Sequence, residues 1–268
     1  MREEIIDIGK RTCHIITTDS EPQCVLVKPL CSFERRLLLH ECALIEQEAS
    51  KGFAMYTFEV EEAELWKDRV GELFAYIENS LIATIKARYA HLPLVVGGYS
   101  LGGLFALWTT TRTPIFDAVA ACSPSLWMQG WEEYYEAHPS KAKYIYMSLG
   151  KKEEKTNKMP FKLVGNICRR QHQRHIAEVG EDHCHLQWHE GDHFTDSELR
   201  KAKGFAWCIT KTTFHTDQPI QQEKCDSIQM LVIVLSNLMR FFTKKSFYHQ
   251  EFSTERKKHA NPKIHIYF

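Results

Sequence analysis

Apolar and polar positions along this chain switch repeatedly between two periods. Short β-branched or apolar runs at residues 24–27, 53–60, 94–96, 118–122, 144–149 and 183–189 predict strands, several of them apolar on both faces as in a buried parallel sheet. Val70, Leu73, Phe74, Ile77, Leu81 and Ile85 recur every three or four positions and predict a helix. Further helices are expected at residues 33–45, 101–108 and 162–178. The first strand is expected to close at Pro29, and the strand at 94–96 to end at the pair Gly97-Gly98, because both residue types interrupt regular structure. Thr195 and Glu198 have the spacing of a capping box for a last helix running through Lys203 and Trp207. Strands alternating with helices predict an α/β fold: a mostly parallel central sheet covered by helices on both faces.

After Cys208 this alternation stops. The chain therefore divides into an α/β domain over residues 1–208 and a tail over 209–268, where an apolar run at 230–235 meets a polar, basic stretch at 253–263. The tail suggests no function. The 268 residues suffice for one full domain with a large core. Lys plus Arg equals Asp plus Glu at 34 each, so no net field favours a polyanion and a nucleic-acid partner is not expected. Nine cysteines without a C-x-x-C pair read as reduced thiols. The acidic start lacks the features of a secretory signal. The apolar segment at 228–239 is shorter than the about 20 residues a bilayer span requires. A cytoplasmic protein without a membrane partner is the expectation; the oligomeric state is not legible.

Chemistry concentrates in three places. Gly98-Tyr99-Ser100-Leu101-Gly102 fits G-x-S-x-G, the turn that lifts a serine hydroxyl above a sheet between a strand and a helix. The Leu101 N–H, at the start of that helix, can then donate to a developing oxyanion. A serine needs a base and an orienting acid to become nucleophilic. The strand at 144–149 ends at Gly150, followed by Lys151-Lys152-Glu153-Glu154, at the sheet edge where α/β sites form. Either glutamate can serve there, with Glu153 favoured. Among the 14 histidines, His193 is singled out by position: it follows the last strand and precedes the last helix. Ser, Glu, His is also the chain order of α/β-hydrolase triads. A competing reading makes Asp182, His183, Cys184, His185, His189 and His193 a metal site, but their spacing matches no common zinc pattern. No metal and no cofactor is expected.

Four segments, Gly97–Gly103, Ser123–Trp127, Ser148–Thr156 and Trp188–Phe194 with Lys203–Trp207, together resemble the esterases related to ferric enterobactin esterase and, more distantly, esterase D, over about residues 24–207. The resemblance implies an α/β-hydrolase fold without a large lid, a nucleophile at Ser100, a base at His193 and an acid at the Gly-x-x-Glu position, which is Glu153. It also implies a small-molecule ester as substrate. The chain departs from the pattern in lacking an HGGG-type oxyanion motif, so the second donor is assigned to the Leu30 N–H after the first strand. Tyr99 and Trp127 are the candidate substrate contacts. Two alternatives keep the fold: a non-catalytic binding protein, and an acyltransferase or thioesterase using the same serine.

Overall fold

A computed structural model describes residues 1–66 and 69–213 of the chain. Its centre is an eight-stranded sheet in the order β1-β2-β4-β3-β5-β6-β7-β8. β1 (Arg2–Ile8), β2 (Arg11–Thr17) and β4 (Ala54–Val60) pair antiparallel in sequence; β3 (Val25–Cys31), β5 (Leu94–Tyr99), β6 (Ala118–Cys122), β7 (Tyr144–Gly150) and β8 (Cys184–His189) continue from β4 in parallel. Strand alternation sends one set of apolar side chains to each face. Leu26, Met55, Val95 and Ala120 pack beneath α1 (Leu38–Ala49) and α7 (Ser197–Thr213). Val27, Tyr56, Val96 and Ala121 pack on the opposite face. That face carries α2 (Val70–Tyr76), α3 (Ile82–Arg88), α4 (Leu101–Arg112), α5 (Trp131–Ala137) and α6 (Val164–Val179). Burial on both faces is what makes the parallel strands read as continuous apolar runs.

Several sequence expectations shift. The N-terminal hairpin β1–β2 was not anticipated; its loop is Gly9-Lys10, with Gly9 at φ 62° as a two-residue hairpin turn beginning with glycine requires. β3 does not close at Pro29 but runs through it to Cys31. The reason is directional. The Val25 N–H donates across to Pro93 O, beside β5, whereas Cys24 O accepts from Ala54 N in β4; alternation then turns position 29 toward β5, whose pairing with β3 ends at Val27. No ladder bond is lost there, so proline is tolerated. β5 likewise continues through Gly97 and Gly98 to Tyr99. A Cβ on Gly97 would lie 2.6 Å from the Phe205 ring, so this glycine serves close helix packing rather than chain reversal. The helix expected over residues 70–85 is present, interrupted by a π-turn at Ile77–Leu81.

The last helix begins at Ser197, and the capping box does not form: Thr195 Oγ1 donates back to Asp192 Oδ1 at 2.9 Å. It runs beyond Cys208, with Ile209, Thr212 and Thr213 buried. The rest of the predicted tail lies outside the described residues. Among the described residues no lid domain covers the carboxyl edge of the sheet, where the longest connection is 151–163. No helix among them is long and apolar enough to cross a membrane.

Candidate active site

Three loops at the carboxyl ends of β5, β7 and β8 converge. Ser100 forms the turn between β5 and α4 at φ 55°, ψ −117°, a region that side chains rarely occupy and that persists only when the surroundings over-determine it. They do so here: Ser100 N donates to Cys122 O at 3.0 Å, and Ser100 O accepts from Ser125 N and Leu104 N, each at 3.1 Å. The turn also depends on Gly98, where a Cβ would come within 2.6 Å of the Gly102 backbone.

His193 sits in the β8–α7 loop with its Nε2 3.0 Å from Ser100 Oγ and its Nδ1 2.8 Å from Glu153 Oε2. An ionised carboxylate can only accept, so Nδ1 carries the hydrogen, which leaves the Nε2 lone pair facing the serine hydroxyl. Of the two candidate glutamates the structure brings Glu153 to the imidazole, whereas Glu154 turns away to Arg169, at 2.8 and 2.9 Å. The other Glu153 oxygen accepts from the Gly150 N–H at 2.8 Å, Ser123 Oγ at 2.9 Å and Arg200 at 3.0 Å. Burial pushes this carboxyl upward, but the hydrogen bonds from His193, Gly150 and Ser123 outweigh it and hold the group below the usual carboxylate range.

The remaining predicted residues are placed as follows. Leu101 opens α4, and its N–H is one of the amides that a helix start leaves without an intrahelical acceptor. Leu30 does not reach the serine: it is 1% exposed inside β3, in register with Glu59, and strand alternation turns its N–H to β4. The β3 amide on the β5 side is that of Cys31, which donates to Glu34 Oε2 at 3.3 Å. Tyr99 lines the cleft at Ser100, but its hydroxyl is committed to His193 O at 2.8 Å, and burial pushes that phenol up to about 12. Trp127 lines a second hollow that also contains Ser100 and stacks edge-on against Phe161.

Two residues escaped the sequence reading. Ser125 Oγ lies 3.3 Å from Ser100 Oγ; its segment stood out only as part of the family pattern. Arg200, 1% exposed on α7, was hidden among basic residues at a helix start. The helical spacing that puts it four residues from Gly204, on the buried face, was the available signal. The histidines of the alternative metal reading take separate partners: His183 Nδ1 meets Val179 O and His185 Nε2 meets Gln187 Oε1. Among the described residues no three such side chains converge on a metal position.

The serine faces two hollows. One, of about 450 Å³, runs over Pro29, Phe33, Leu37, Tyr99 and Phe194 beside His193. The other, of about 560 Å³, is formed by Trp66, Leu101, Trp127 and Met128. The size suits a small ligand with an apolar body.

Comparison with known proteins places these features in context. A family model described as "Putative esterase" matches residues 46–198. No curated protein matches the chain. Among solved structures, the siderophore hydrolase EstA from Aspergillus nidulans is 13% identical with a TM-score of 0.55, covering 79% of this chain and 94% of its own. The enterobactin esterase FES from Shigella flexneri, in the presence of 2,3-di-hydroxy-N-benzoyl-serine, is 18% identical with a TM-score of 0.57 over 79% of this chain. This chain spans only 60% of the length of FES. An alpha-beta serine hydrolase homologue from Coxiella burnetii is 9% identical with a TM-score of 0.51, covering 78% and 96%. At these identities the likeness is one of fold.

Proposed function

The chain belongs to the esterase family whose model it matches over residues 46–198, on an α/β-hydrolase fold, and we propose that it cleaves carboxylic esters through a Ser100–His193–Glu153 triad and an acyl-enzyme. The observation that carries this reading is the continuous line of contacts from Ser100 Oγ to His193 Nε2 and from Nδ1 to Glu153 Oε2. Ser100 attacks the ester carbonyl as His193 takes its proton; Glu153 fixes the imidazole in the required tautomer and balances the charge it gains. The Leu101 N–H donates to the oxyanion. Cys31 replaces Leu30 as second donor: its N–H is on the β5 side of β3 and it shares a cleft with Ser100, so the carbonyl oxygen displaces Glu34 from it. His193 then returns the proton to the leaving alcohol, and water attacking by the same route frees the acid.

The substrate in this reading is a small-molecule ester, one arm along the Trp127 hollow and the other along the Phe33–Phe194 cleft. Fluorophosphonate labelling and hydrolysis of short p-nitrophenyl esters test it together. The unaltered protein labels at Ser100 and turns over; Ser100→Ala loses labelling and falls by on the order of 10⁴-fold or more in kcat, the scale seen when such a nucleophile is removed. Full turnover by Ser100→Ala would end the proposal.

A further inference from the structure

The triad residues come from three loops, and one side chain touches all three supports. Arg200 Nη1 donates to Glu153 Oε1 at 3.0 Å, to Tyr99 Oη at 3.1 Å and to Ser123 Oγ at 3.4 Å. Its Nη2 donates to the carbonyls of Glu190 and Asp192, both at 2.8 Å, which bracket Gly191 in the loop carrying His193. Tyr99, adjacent to Ser100, passes the connection on by donating to His193 O. The guanidinium therefore binds the triad acid directly and clamps the histidine loop from below.

The surroundings are shaped around that group. A Cβ on Gly150 would lie 2.7 Å from Gly191 O and 2.9 Å from both Arg200 terminal nitrogens, so the glycine ending β7 leaves room for the guanidinium and for the loop it holds. Gly191 is at φ 89°, which presents the flanking carbonyls on one side of the loop. An isolated buried cation is costly, and here Glu153 supplies the opposing charge within the same pocket. A lysine would carry the charge but not the two-pronged, planar geometry that serves a carboxylate with one nitrogen and two carbonyls with the other. Arg200 lines neither hollow at Ser100, so it is out of reach of substrate.

We propose that Arg200 is the positioning residue of this site: it fixes the Glu153 carboxylate and the 190–193 loop together, so that His193 is held over Ser100 before substrate arrives. The proposal rests on the triad reading given above. Holding reacting groups in register is worth about 10²-fold in rate per ångström of misplacement, and that is the effect expected here.

The test compares Arg200→Lys, Glu153→Gln and the double variant by the second-order rate of fluorophosphonate labelling, and by kcat and KM on p-nitrophenyl acetate. Arg200→Lys lowers labelling and kcat by roughly 10²-fold with KM unchanged, because binding surfaces are untouched. In the Glu153→Gln background the same change costs much less, since both residues act as one unit. Wild-type labelling by Arg200→Lys, a loss that appears in KM alone, or full additivity with Glu153→Gln would each overturn the proposal. Near-UV circular dichroism verifies folding. Should Arg200→Lys not fold, Gly150→Ala keeps the arginine but drives a methyl group against it and against the Gly191 carbonyl of the loop it clamps, and labelling at the wild-type rate by that variant overturns the proposal equally. Absence of labelling in the unaltered protein is a different result: it removes the triad reading, and this inference with it.

Discussion

Ser100 occupies its strained turn at the expense of space around it, and the two glycines of G-x-S-x-G do not share that burden equally. A Cβ at Gly98 would meet the Gly102 carbonyl carbon at 2.6 Å and its oxygen at 2.7 Å, whereas a Cβ at Gly102 would meet only Pro29 Cγ at 3.5 Å, an ordinary contact. Gly98→Ala should therefore cost about 1–3 kcal/mol, the range for overpacking a rigid site, and abolish labelling of Ser100. Gly102→Ala should fold with a urea midpoint equal to or above that of the unaltered protein, since the added methyl meets no clash and alanine suits a helix better than glycine. Urea denaturation of both variants decides this, and equal losses at the two positions would refute the asymmetry. The sequence shows that a sharp strand-to-helix turn occurs here, because that pattern is local. It cannot show which glycine is squeezed, since the answer depends on how β5 and α4 lie against each other and against Pro29.

At the level of elements, the helices and strands that position the site were legible wherever burial on both faces left an uninterrupted apolar run, as in β5, β6 and β7. The β1–β2 hairpin was not, because Arg2–Ile8 is mostly exposed and its register comes from pairing with β2 rather than from a core. Also invisible was the ionic cluster that binds β3 to both helices on one face. Lys28, 1% exposed in the middle of β3, approaches Glu41 Oε2 of α1 at 2.9 Å and Glu34 Oε1 at 3.2 Å; Lys201 of α7 approaches the same two glutamates at 2.7 and 2.8 Å. Lys201 and Glu34 are 167 residues apart in the chain, so neither charge announces its partner. Burial alone would lower the Lys201 ammonium, but Glu41 and Glu34 more than reverse that and raise it. Glu41→Ala would leave two buried ammonium groups sharing Glu34. It should destabilise by about 3–5 kcal/mol, as breaking one side of a buried ion pair does; a urea midpoint within error of wild type would show that the cluster contributes no net stability.

For the whole molecule these buried groups set the pH range in which the fold is most stable. Burial lowers His175 to about 3 and His189 to about 4 from an ordinary 6.5, so the native imidazoles refuse protons that the unfolded chain accepts. Stability is then full above about pH 6.5 and declines as the pH falls below it, because the unfolded state binds more protons. Glu34, despite burial, is held at about 2 by Lys28 and Lys201; its contribution is present above its ordinary 4.5 and is lost as the pH falls toward 2. Glu178, raised by burial, works weakly in the opposite sense. On the alkaline side burial raises the thiols, Cys31 to about 11 and Cys24, Cys122 and Cys168 to about 12, from 9.0. Raised acids of this kind stabilise fully below their ordinary value and lose that contribution as the pH climbs above 9. A plot of Tm against pH should therefore show a plateau between about 6.5 and 9 with a decline on each side. His172, also lowered by burial, adds to the first acid decline in the same sense, and His175 has an unpartnered buried Nδ1 with Nε2 on the Gln171 amide at 2.9 Å. His175→Gln should thus reduce the proton uptake on unfolding between pH 6.5 and 4 by up to one, which shows as a shallower Tm slope over that interval. An identical slope in the variant would mean that the buried imidazole does not govern acid stability.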